Sequence, residues 1–227
     1  MAIFQFLFLQ SPMLGWLPRI FFGLLLLAAV FYYVERDHAP LRGSLRINAT
    51  RLFRSGLGFY ALYPVILTIG QYYVWSSNAF SRLLLHAPLD GRVPIPEFLK
   101  DSALLQSRFG YFLFYSYGRF WINSILAIGV SLLFYLFLRL LRKRRGRFFE
   151  EGEPELGFVS SLIAGWPNFV LFVPFVFFFV VIVSLIRLVA FRARYTTLGY
   201  PFLAAALVAF LFGSTLISFF HLSVLSI

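Results

Sequence analysis

The sequence predicts an all-α fold, a polytopic transmembrane helical bundle of about six spans, and three observations predict it. Of the 227 residues, 60% are hydrophobic and 13% charged, with a mean hydropathy of +0.83; soluble domains average about 25% charged residues. Apolar stretches recur at about the length needed to cross about 30 Å of hydrocarbon. The cations are gathered between those stretches rather than scattered through them. A soluble enzyme is excluded on this composition.

The individual spans follow from the apolar runs. Leu14 to Val34, Gly56 to Trp75, Phe120 to Leu138 and Tyr200 to about Leu222 each read as one membrane helix. Between the last two lies Gly157 to Ile186, which carries no charge and would make a single helix of about 45 Å. Gly165-Trp166-Pro167-Asn168 supplies a break, with a turn-forming Gly and Pro and an interfacial Trp. The expectation is therefore a short helix up to Gly165, a turn, and a second helix from Phe169 to about Val189.

Charge placement gives an independent test of that division. Net charge is +11, from 20 Lys+Arg and 9 Asp+Glu. Arg36, Arg42, Arg46, Arg51 and Arg54 follow the first span, and Arg139, Arg142, Lys143, Arg144, Arg145 and Arg147 follow the third. Both clusters belong on the cytoplasmic side. A third cluster, Arg187, Arg192 and Arg194, shares that side only if residues 157–186 reverse direction, as a hairpin does. Both termini then lie outside, in a plasma (inner) membrane. Residues 2–18 lack a charged leader and a cleavage site; Ser11-Pro12 and Trp16-Leu17-Pro18 read as breaks at the outer interface, with Arg19 snorkelling to its surface, and a seventh span stays open. Residues 76–119 form an outer loop whose aromatic run, Phe109 to Tyr117, suits a helix lying among the headgroups. No repeat or linker divides residues 1–227, which read as one membrane domain.

Little intramembrane chemistry is available. Cys 0 and His 3 leave no thiolate site and no His-rich metal site, so neither metal nor cofactor is expected. Arg19, His221 and Arg187 are the ionisable groups in or beside spans, which disfavours a proton relay or a transporter. The basic excess fits anionic headgroups better than nucleic acid, and other membrane subunits are a further class of partner. Acids are more telling. Glu35 and Asp37 end the first span, and Glu150, Glu151, Glu153 and Glu155 precede the short helix, all at one membrane face. Acids at a helix start meet its dipole favourably, and the Arg142–Arg147 run offers ion-pair partners. Two carboxylates at a membrane boundary are equally the equipment of an aspartic peptidase, which shares one proton between them to activate water.

The order of features resembles the prepilin peptidase family, membrane aspartic peptidases that process type IV pilins and archaeal flagellins. The residues carrying the resemblance are Glu151-Gly152-Glu153-Pro154-Glu155-Leu156, then Leu162-Ile163-Ala164-Gly165-Trp166-Pro167, and after the basic turn Gly199-Tyr200-Pro201-Phe202-Leu203 with Phe210-Leu211-Phe212-Gly213. Glu153 stands where that family's motif has Asp, Glu151 replaces its first Gly and Glu155 its Lys. Val34-Glu35-Arg36-Asp37-His38-Ala39-Pro40 matches its acid-before-Pro region. The resemblance implies Glu153 with either Asp37 or Glu35 as the carboxylate pair, cleaving a pilin-like leader at the cytoplasmic face. A non-catalytic membrane scaffold or assembly subunit is the alternative.

Overall fold

A computed structural model describes residues 13–37, 48–89, 102–144, 152–191 and 197–225. Among these there is no strand. The elements are α1 (Met13–Asp37), α2 (Ala49–Ser77), α3 (Ala79–Leu85), α4 (Gly110–Ser116), a π-helical turn (Tyr117–Trp121), α5 (Ile122–Arg144), α6 (Glu153–Ala164), α7 (Phe169–Phe191), α8 (Gly199–Phe219) and a closing 3-10 turn (Leu222–Leu225). Five stretches are long and apolar enough to cross a membrane: Leu14–Glu35, Ala49–Ser77, Gly110–Arg144, Phe169–Ala190 and Gly199–Phe219. The chain is a membrane-type helical protein. Residues 2–12, the side chains of Arg36 and Asp37, and Arg42, Arg46, Arg145, Arg147, Arg192, Arg194, Glu150 and Glu151 lie outside the described residues, as does the loop stretch 90–101.

Backbone proximity divides the chain into two compact units, residues 13–17 with 61–123 and residues 18–60 with 124–225. In the first unit the aromatic run does not form a separate interfacial helix. Phe109 to Tyr117 instead starts the long helical stretch Gly110–Arg144, continuous through the π-helical turn. It is held to the end of α2 by ring packing. Trp75 stacks on Tyr111 at 6.1 Å and meets Tyr115 at 5.0 Å and Phe112 at 5.5 Å. Deeper in, Trp121 Nε1 donates to Thr68 Oγ1 at 3.0 Å, and that hydroxyl donates to the Pro64 carbonyl at 2.8 Å. Nor does the chain break at Trp16-Leu17-Pro18, because α1 runs straight through Pro18. Proline has no N–H for the carbonyl four residues back. That carbonyl, of Leu14, accepts the Tyr63 hydroxyl at 3.0 Å instead. Arg51 and Arg54 likewise lie in the first turns of α2 rather than in a loop, behind Asn48, whose Oδ1 accepts from the Thr50 amide.

The second unit is built around α6. This helix is about 18 Å long, too short to cross a bilayer, and every residue in it except Glu155 is buried. Phe53 of α2 stacks on Phe158 at 4.1 Å, and the Tyr60 hydroxyl donates to the Leu162 carbonyl at 3.0 Å. Gly157 lets Leu138 of α5 and Phe202 of α8 close on the helix. The hairpin at Gly165-Trp166-Pro167-Asn168 is present: α6 stops at Gly165, whose φ of 65° and ψ of 174° fall in a region essentially reserved for glycine. Trp166 Nε1 then donates to the Leu225 carbonyl at 3.0 Å.

Helix directions follow from the contacts. α6 and α8 start together, since Glu153 reaches Leu198 and Gly199, and they run the same way, since Phe202 meets Gly157 and Gly213 meets Asn168 just beyond the end of α6. α5 and α7 run opposite to both. They therefore end at the face where α6 and α8 begin, which puts Arg144 and Arg187 at that face.

The hairpin glycine gives a direct test. A Cβ at Gly165 would stand 2.6 Å from the Tyr60 hydroxyl as well as forcing the backbone, so Gly165→Ala is expected to lower stability by about 1–3 kcal/mol. Tyr60→Phe, which removes only the hydrogen bond, is expected to cost about 1 kcal/mol. Thermal unfolding in detergent, followed by circular dichroism, measures both; equal midpoints for Gly165→Ala and wild type would remove the glycine's assigned role.

Candidate functional site

The acids at the start of α6 are placed by three short-range features. Gly152 precedes the helix at φ 85°, a left-handed conformation that glycine adopts without steric cost. Pro154 occupies the first turn, where its missing N–H removes no helical bond. Glu153 and Glu155 then leave the helix on different sides, because successive residues turn by about 100°.

Glu153 is completely buried. Its Oε1 accepts the backbone N–H of Leu198 at 2.7 Å and of Gly199 at 3.2 Å. These are the cap and first residue of α8, and Leu198 offers no side-chain cap of its own. A helix start carries partial positive charge and amides without intrahelical partners. The Glu153 carboxylate answers both. Glu153 and Glu155 both lie in the first turn of α6, as the sequence suggests, and Glu153 in addition caps the start of α8.

Tyr33 of α1 completes the enclosure. It is 1% exposed, and a Cβ on Gly199 would collide with its ring. The same ring meets Tyr200 edge-on at 4.8 Å, while the Arg187 guanidinium lies 6.0 Å above the Tyr200 ring. No family model, curated protein or solved structure matches the chain.

The candidate acids separate clearly. Asp37 occupies the helix position one turn beyond Tyr33, about 40° round the axis, hence on the face of α1 that meets Gly199. Its side chain lies outside the described residues. Glu35, two residues after Tyr33, is turned by about 200° and stands half-buried on the other face. Glu155 takes a separate environment: the Tyr135 hydroxyl donates to its Oε1 at 3.1 Å, and the Arg139 guanidinium lies 5.4 Å from the Tyr135 ring centroid. Tyr135 thus contacts both this acid and Arg139. Among the described residues no three His, Cys, Asp or Glu side chains gather as they would around a metal ion.

Sequence reasoning singled out Glu153 but not Leu198, Tyr33 or Tyr135, and it valued Gly199 only as part of a motif. One signal was present. A helix opening Thr-Leu-Gly-Tyr-Pro with leucine as its cap must find an amide acceptor elsewhere.

Replacing the acid tests the enclosure. Glu153→Leu leaves the part-buried Leu198 amide and the buried Gly199 amide without this acceptor and is expected to cost about 2–4 kcal/mol, whereas Glu153→Gln retains a carbonyl oxygen and should cost less. Hydrogen exchange at the Leu198 and Gly199 amides reads this directly. Protection in Glu153→Leu equal to that of the wild type would mean that the carboxylate is not their acceptor.

Proposed function

We propose that the chain is a divergent prepilin-peptidase-like membrane protein acting as an aspartic-type endopeptidase, with Glu153 and Asp37 as its carboxylate pair. The observation that carries this reading is the closure of Tyr33 on Gly199, whose amide Glu153 holds. It brings the face of α1 that ends at Asp37 to the α8 start that Glu153 caps. Glu35 faces away and is left out of the pair. One carboxylate takes a proton from water, whose oxygen attacks the scissile carbonyl carbon. The other, protonated, gives its proton to the developing oxyanion. Collapse breaks the C–N bond as the amine leaves with a proton. The substrate class is a pilin-like leader joined to an apolar membrane segment and cut at the cytoplasmic face of the plasma membrane.

A second reading rests on a different observation. Glu153 is 0% exposed with one oxygen committed to two amides, the condition of a structural latch in a non-catalytic scaffold.

Cleavage of a pilin-like membrane peptide by the purified protein in detergent separates the two. The peptidase reading expects turnover that falls by about 10²-fold or more in both Glu153→Gln and Asp37→Asn and persists in Glu35→Gln. Turnover retained in Glu153→Gln sinks the assignment, and a wild type that cuts no such peptide leaves the scaffold.

A further inference from the structure

Away from the carboxylates, α5 and α7 enclose an open groove of about 360 Å³, within the size range of small-ligand pockets. Leu133, Phe134 and Phe137 form one wall and Phe169, Val173 and Phe177 the other. Leu133, Phe137 and Phe177 are strongly exposed rims. Phe134 closes the floor by edge-on contacts with Phe172 at 5.6 Å and Phe202 at 5.9 Å. The lining offers no hydrogen-bonding side chain. Its occupant must be hydrocarbon along this length.

What the occupant carries at its end is set by charge. Leu133, Phe137 and Arg144 fall on one stripe of α5, because steps of four and seven residues return close to the same face. Arg144 is exposed and stands about 10 Å beyond Phe137 along the axis, at the face where α5 and α7 both end. Lys143 points about 100° away from it. Arg139, on the opposite side of α5, is turned to the Tyr135 ring. An apolar groove leading to an in-register guanidinium at the membrane boundary matches a molecule with a long acyl chain and an anionic head.

We propose that this groove is a binding site for one anionic phospholipid, with an acyl chain lying between α5 and α7 and the headgroup phosphate paired with Arg144. The site does not depend on peptidase activity. It differs from diffuse attraction of a basic surface because it assigns the headgroup to one cation and the chain to one groove. Guanidinium suits phosphate through paired N–H donors.

The full chain, reconstituted in nanodiscs of phosphatidylglycerol and phosphatidylcholine with identical acyl chains, provides the test, with lipids retained after detergent extraction counted by native mass spectrometry. One phosphatidylglycerol is expected to be retained in preference to phosphatidylcholine. Arg144→Gln should reduce that preference about fivefold or more, while Lys143→Gln, which removes the same charge one residue away, leaves it unchanged. Soluble glycerophosphate should not compete, since it has no chain for the groove. Val173→Trp, which fills the groove, should release the lipid with Arg144 intact; if that variant does not fold, the Arg144 and Lys143 variants decide alone. Equal loss in both of those variants, equal retention of the two lipids, or displacement by glycerophosphate overturns the proposal.

Discussion

Helix α8 begins among buried side chains with leucine at its cap, so its first amides depend on an acceptor supplied from a distant part of the sequence. Glu153 supplies it from 45 positions earlier in the chain, and much of the second unit is arranged around that demand. To reach Leu198 and Gly199, α6 must start at the same face as α8 and run beside it. To run beside it while remaining short, α6 must reverse at Gly165. Reversal returns α7 along α8, and burial of α6 on nearly every side draws α2 and α5 around it. A buried carboxylate is costly when its charge is unmet; here two amides and a helix dipole meet it, and an aromatic ring packs on Gly199 beside them.

The same accounting of backbone groups explains where the chain tolerates proline. Pro18 sits inside an apolar helix, where its ring deprives Leu14 of a partner, and a tyrosine hydroxyl from α2 fills the vacancy. In hydrocarbon an unpaired carbonyl has no water to turn to. A proline within a span is therefore read correctly only together with the hydroxyl that compensates it, and that hydroxyl lies 49 residues from the carbonyl it satisfies. Trp121, Thr68 and the Pro64 carbonyl form a comparable relay at the π-helical turn. These bonds are specific in space and unmarked in local sequence.

That contrast decides how much was legible beforehand. Apolar length alone placed the long helices, because about twenty residues per crossing is a property of the bilayer. Charge clustering together with Gly165-Trp166-Pro167-Asn168 placed the hairpin, because a glycine-only backbone conformation and a proline leave a local signature. The breaks expected at Trp16-Leu17-Pro18 and the separate helix expected at Phe109 to Tyr117 were local readings overruled at a distance, the first by Tyr63 and the second by Trp75. At the candidate site, Glu153 was visible as an acid before a buried helix. Tyr33 was not, since a tyrosine in an apolar run looks like any other aromatic packing residue until Gly199 is brought against it.

Helical register carries the last step. Glu35 and Asp37 are equivalent in the linear sequence: both are acids at the end of a span and both precede Pro40. Once Tyr33 is fixed against the start of α8, they cease to be equivalent, because two residues and four residues from a buried ring are opposite and adjacent faces of one helix. The extra methylene of Glu153 relative to aspartate then has a geometric meaning. It gives the side chain the reach to cap α8 from the first residue of α6, and the same reach determines where its carboxylate stands relative to the α1 face that ends at Asp37.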